Sequence, residues 1–128
     1  MRQWVYDRLI GLAPLHAIVD DRVFGSNSLL TAAVPKPFLF YQMGHWDNED
    51  IAETLPAGRQ FLQVFIHDEP ASYLQIDTLV DLVRVALENQ NNSSDVMMCR
   101  WLETSRDFDD ERLQTIFRYV RFQLITPR

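Results

Sequence analysis

Residues 61–87 constrain the fold of this chain more than any other stretch. Phe61-Leu62-Gln63-Val64-Phe65-Ile66-His67 has the apolar, aromatic composition of a buried strand. Asp68-Glu69-Pro70 breaks it with a sharp turn. Beyond the turn, Ile76, Leu79, Val80, Val83 and Leu87 recur at i, i+3, i+4, i+7 and i+11, which is one apolar stripe of a helix. Asp77, Asp81, Arg84 and Glu88 repeat that spacing on another face. Ser72 stands three residues before Gln75, the spacing of a capping box. Val64, Ile66, Leu79, Val80 and Val83 are therefore expected in the core, with Phe122 from the last strand.

The flanking sequence supplies more of both element types. Residues 1–12 form a helix pattern with Val5, Leu9 and Leu12 on one side and Tyr6 and Ile10 beside them, stopped by Pro14. Residues 15–19 are apolar, either helical or extended. Arg22-Val23-Phe24 reads as a short strand. Pro35-Lys36-Pro37 favours extended backbone, and Phe38-Leu39-Phe40-Tyr41-Gln42-Met43 is a strand by aromatic enrichment. Residues 45–57 are polar, acidic and broken by Pro56, which predicts a long exposed loop. Residues 96–102 read as a strand and 103–110 as a charged hairpin loop. In the last strand, 113–125, Val120, Phe122 and Leu124 alternate with Arg121 and Gln123. Phe117 and Tyr119 take the opposite parity, so either both sheet faces are covered or a bulge shifts the phase. This order predicts an α+β domain, with a mostly antiparallel β-sheet packed by an N-terminal helix and one long amphipathic helix. At 128 residues, one domain spanning 1–128 is expected.

Charge and composition narrow the function. Twelve Lys and Arg face eighteen Asp and Glu, a net charge of −6, which disfavours a grip on nucleic acid phosphates. Lys36 is the single lysine, so the cations are arginines, suited to planar bidentate contacts. Cys99 is the single cysteine, which rules out an internal disulfide and suits a reducing compartment. Arg2, Asp7 and Arg8 break up the first twelve residues, unlike a signal peptide, and no apolar run approaches membrane-helix length. The composition reads as soluble and cytoplasmic.

Catalytic patterns are missing from the sequence. No Gly-x-Ser-x-Gly elbow occurs, and Gly11, Gly25, Gly44 and Gly58 are too scattered for a phosphate loop. Cys99 falls on an apolar strand, where cysteine acts as a small hydrophobe. His16 and His67 lie in no metal motif, and His67 ends its strand where an imidazole caps a backbone group. The densest ligand group is His45, Asp47, Glu49 and Asp50, whose oxygens suit a hard divalent cation, although the spacing of a calcium loop is absent. Trp46 in that polar loop is a candidate contact residue, since tryptophan is enriched at interface hot spots.

Taken in order, the helix, Asp21-Arg22-Val23-Phe24, the aromatic strand Pro37-Phe38-Leu39-Phe40-Tyr41, the strand and long helix of 61–87, and two closing strands joined by an acidic loop form a familiar pattern. The chain resembles the tail terminator (tail completion) proteins of long-tailed bacteriophages over nearly its whole length. It departs from them in the longer 45–57 segment. The resemblance implies a non-enzymatic virion protein without cofactor, assembled in the host cytoplasm. Such a protein forms a ring, a hexamer in that family, that caps the tail tube and meets a head–neck connector or stopper. DNA only passes through its lumen, and no membrane is involved. Trp46 is then the first candidate for intersubunit or tube contact, followed by Arg22, Arg59 and Arg118, because arginine is favoured at interfaces. The competing readings are another neck ring protein (head completion or stopper), a small metal-dependent enzyme using the loop of His45 to Asp50, and an adaptor domain with exposed sheet edges.

Overall fold

In chain order the elements are α1 (Arg2–Gly11), α2 (Ala13–Val19), β1 (Val23–Phe24), β2 (Phe38–His45), β3 (Ala57–Asp68), α3 (Tyr73–Leu87), β4 (Met98–Thr104), β5 (Phe108–Asp110) and β6 (Thr115–Pro127). This computed structural model describes residues 2–25, 33–45, 57–88 and 98–127. Among them the sheet has six strands in the order β1-β2-β3-β6-β4, with β5 also beside β6. β1 runs parallel to β2, and every other pairing is antiparallel. The α+β architecture expected from the sequence is therefore the one observed.

The helices cover one sheet face. The apolar stripe of α3 packs onto β3, β6 and β4, burying Ile76, Leu79, Val80, Val83, Ala86 and Leu87. From below, Leu62, Val64 and Ile66 of β3 meet Val120, Phe122 and Leu124 of β6. Val5 and Leu9 of α1 and Leu15 and Val19 of α2 close the same core. Each such aliphatic or aromatic side chain contributes about 1.5–3 kcal/mol on full burial. All six residues expected in the core are there.

Local causes decide the stretch the sequence left open and shift several boundaries from expectation. Residues 15–19 are helical because the chain bends at Leu12 (φ −86°, ψ 109°) and restarts, placing Pro14 in a first turn where no amide is needed. The capping box at Ser72 does not form: Ser72 sits at ψ 47°, short of the extended backbone that aims its hydroxyl at the helix amides, and makes no side-chain cap bond. The turn before it is closed by Ser72 N–H donating to the Glu69 carbonyl at 3.1 Å, with Ala71 at φ 70°. Residues 103–110 are not simply a loop. β4 runs on to Thr104, and β5 pairs with the start of β6. β2 extends to His45 and β3 begins at Ala57, so both ends of the loop expected at 45–57 are strand, and the rest of that expectation, 46–56, lies outside the described residues.

Register settles the parity of the last strand. β3 and β6 pair without a break from Ala57 opposite Pro127 to Asp68 opposite Ile116. The irregularity lies on β4, between Trp101 and Glu103. The phase of β6 never shifts, so Phe117 and Tyr119 point to the face away from the helices.

Candidate functional site

That second face is built from aromatic rungs. Across neighbouring strands, Phe38, His67, Phe117 and Phe108 are paired in register and their rings stack in series, with centroids 4.9, 4.8 and 5.3 Å apart. A second row starts with Phe40 and Phe65, stacked at 4.5 Å, and continues to Tyr119 at 5.8 Å. Phe38, Phe40 and Leu113 form a small separate core, with Phe24, Val34 and Phe65 against it. Further along, the face turns polar through Gln42, Gln63, Arg121 and Gln123. Gly44 allows the Phe61 ring to lie across the backbone, since a Cβ there would meet that ring at 2.5 Å. The sequence signal for this face was the repeated i, i+2 aromatic pair: 38/40, 65/67 and 117/119.

His67 is the buried polar member of the stack. Its Nδ1 lies 2.7 Å from Thr115 Oγ1, and its Nε2 is buried with no hydrogen-bond partner. The partner is thus a side-chain hydroxyl, where a backbone group was expected. Burial is the main cause that lowers its pKa from 6.5 to about 4, with Asp110 opposing and Arg112 assisting. The ring is neutral near pH 7 and acts as a flat spacer between Phe38 and Phe117.

The arginines marked from the sequence lie apart from one another. Arg22 is a tie inside the chain: its Nε donates to the Pro37 carbonyl at 2.9 Å and its Nη2 to the Ile18 carbonyl at 3.0 Å. It fastens the end of α2 to the start of β2. Arg118 donates through Nε to the Ser105 carbonyl and pairs through Nη1 with Asp77 at 2.7 Å, linking β6 to α3 and to the β4–β5 turn. Arg59 stands on β3 opposite Ile125, and its side chain lies outside the description. Trp46, Asp47, Glu49 and Asp50 lie outside the described residues, as does the side chain of His45. Sequence reasoning missed the contact between Arg84 and Trp101. The guanidinium sits 4.0 Å from the ring centroid and also pairs with Glu88 at 3.1 Å.

Reactive chemistry is sparse among the described residues. Cys99 is fully buried and its thiol is pushed up to about 12 by that burial, with Glu88 adding to the effect, so it is inert. One trio could hold a metal ion: His16, Asp20 and Asp21, whose donor atoms all lie within 4.8 Å of one another. It sits on the surface, with His16 Nε2 already 3.1 Å from Asp21 Oδ1. No helix among these residues is long and apolar enough to cross a membrane.

A mostly antiparallel sheet shielded by helices on one face and by aromatic rungs on part of the other defines an α+β domain. No family model matches the chain. No curated protein matches it either. A solved structure described as "Virion of native gene transfer agent (GTA) particle" contains a chain of similar fold, with a TM-score of 0.69 at 16% identity over 97% of this chain and 92% of that one. At that identity the likeness is one of fold.

Proposed function

We propose that this chain is a structural protein of a phage-like virion, and that within the particle it serves as a tail terminator. In this reading copies form a ring, a hexamer by resemblance to that family, which caps the tail tube and joins it to the head–neck connector. The observation that carries the proposal is the shared fold with a chain of a gene transfer agent virion over nearly the full length of both chains. The order of short motifs in the sequence points the same way. So does the absence of an assembled catalytic group among the described residues. A net charge of −6 suits a ring through which DNA slides without being gripped. Trp46 and Arg59 are the proposed contacts to neighbouring copies or to the tube.

Electron microscopy of the purified protein, with and without tail tubes, tests this. Rings, or tubes capped at one end, are expected, and Trp46→Ala should weaken capping while the fold survives. Binding to the head connector but never to tubes would move the protein to a head completion or stopper role. Failure to associate with either would sink the virion reading.

A further inference from the structure

Where α2 runs into β1, donor atoms of two kinds converge. His16 stands in the last turn of α2, Asp20 caps that helix, and Asp21 follows. His16 Nε2 lies 3.6 Å from Asp20 Oδ1 and 3.1 Å from Asp21 Oδ1, and all three donor atoms lie within 4.8 Å of one another. Residues i and i+4 share one face of a helix, which aims His16 and Asp20 alike. Consecutive side chains seldom converge. Here Asp20 takes a φ of 55°, which aspartate tolerates, and the chain turns Asp21 back to the same side. The backbone holds the three in place. His16 N–H donates to the Leu12 carbonyl at 2.9 Å, Asp20 N–H to the His16 carbonyl at 2.8 Å, and Val23 N–H to the Asp21 carbonyl at 2.8 Å.

Hydrogen bonding alone leaves this arrangement unbalanced. A neutral imidazole carries at most one hydrogen on Nε2, enough for one carboxylate and not for two. Among the described residues no Lys or Arg pairs with Asp20 or Asp21. Arg22, the next residue, is turned inward onto the Ile18 and Pro37 carbonyls. A divalent ion takes a lone pair from all three donors at once and supplies the missing positive charge. The spacing suits it. Two donors on a tetrahedral zinc, each about 2.0–2.2 Å from the metal, stand about 3.4 Å apart. That value falls between the observed 3.1 and 3.6 Å. An imidazole with two carboxylates selects zinc over magnesium or calcium, which take oxygen ligands. The three side chains are 43%, 68% and 75% exposed, so an ion reaches them from solvent and the carboxylates are free to close on it.

We propose that His16, Asp20 and Asp21 form a zinc site, with water in the fourth position, that clips the end of α2 to the entry of β1. The clip belongs to the single chain and does not depend on the ring. It stabilises the folded state because the unfolded chain does not hold the three donors together. The full chain, stripped with EDTA and dialysed, is titrated with zinc chloride by calorimetry, and its thermal melt is followed with and without zinc. One zinc ion per chain and a raised Tm are expected. His16→Ala should remove both effects, as should Asp20→Asn combined with Asp21→Asn. Without zinc these variants should melt with the parent, since all three side chains lie on the surface. His67 and Cys99 are buried and stay silent, and His45→Ala should change nothing. No binding by the parent would overturn the site, as would binding that survives His16→Ala. Binding lost with His45→Ala instead would place the metal with Asp47, Glu49 and Asp50 and overturn it too. Zinc bound through His16 without a rise in Tm would refute the clip. Magnesium or calcium raising Tm as far as zinc does would reduce the trio to an acidic surface patch.

Discussion

Replacing His67 by phenylalanine isolates the one buried titratable ring in the aromatic stack. The folded pKa is about 4 against 6.5 for a free imidazole. Because the folded value is the lower one, protonation favours the unfolded chain. The stability from neutral His67 is complete above pH 6.5 and is lost as pH falls towards 4. The gap of 2.5 units is about 3 kcal/mol in full, of which about 2 kcal/mol is gone by pH 5. Asp68, whose carboxyl burial raises, acts with the opposite sign but is shared by both proteins and cancels in the comparison. His67→Phe keeps a flat ring between Phe38 and Phe117, removes the unpartnered Nε2, and costs about 1 kcal/mol for the bond to Thr115. Urea unfolding of both proteins at pH 7.5, 6 and 5 measures the difference. The variant should be within about 1 kcal/mol of the parent at pH 7.5 and should gain about 2 kcal/mol on it by pH 5. Parallel pH profiles would refute the claim that His67 is held neutral by burial.

Leu79→Ala removes a fully buried side chain between α3 and the sheet and should cost about 2–5 kcal/mol in denaturant unfolding, whereas Leu74→Ala on the exposed side of the same helix should cost little. Arg22→Ala should cost about 2–3 kcal/mol by removing two charge-assisted bonds to the Ile18 and Pro37 carbonyls, and Arg22→Lys should recover less than half because an ammonium cannot span both acceptors with a planar fork. Thermal or urea melts of the two variants check both parts.

The legibility of this fold followed the range of each interaction. The stripe of α3 was readable because its contacts repeat every turn of one helix. The parity of Phe117 and Tyr119 carried a second covered face, although sequence alone left a bulge equally open. The pairing of His67 with Thr115 spans 48 residues and has no local signature. Arg22 shows the same limit in another form. Sequence marks an arginine as a contact residue, yet its acceptors are carbonyls that only the meeting of α2 and β2 brings together. The capping box failed for the opposite reason: the spacing was present, but the turn ending at Ala71 sets the wrong ψ at Ser72.

The way the arginines are spent bears on how copies attract one another. Arg22 is used on carbonyls, and Arg84, Arg118 and Arg121 are used on Glu88, Asp77 and Glu103 of the same chain. With twelve Lys and Arg against eighteen Asp and Glu, each copy carries −6. The long-range field between like-charged copies opposes approach. That field is screened over a Debye length of about 10 Å at 0.1 M salt and about 3 Å at 1 M. Self-association, followed by sedimentation velocity, should therefore strengthen as sodium chloride rises through this range, whereas an interface held by intersubunit arginine–carboxylate pairs would weaken. Dissociation at high salt would show that arginine–carboxylate pairs hold the copies together, and would favour Arg59 as one of the arginines that reach across.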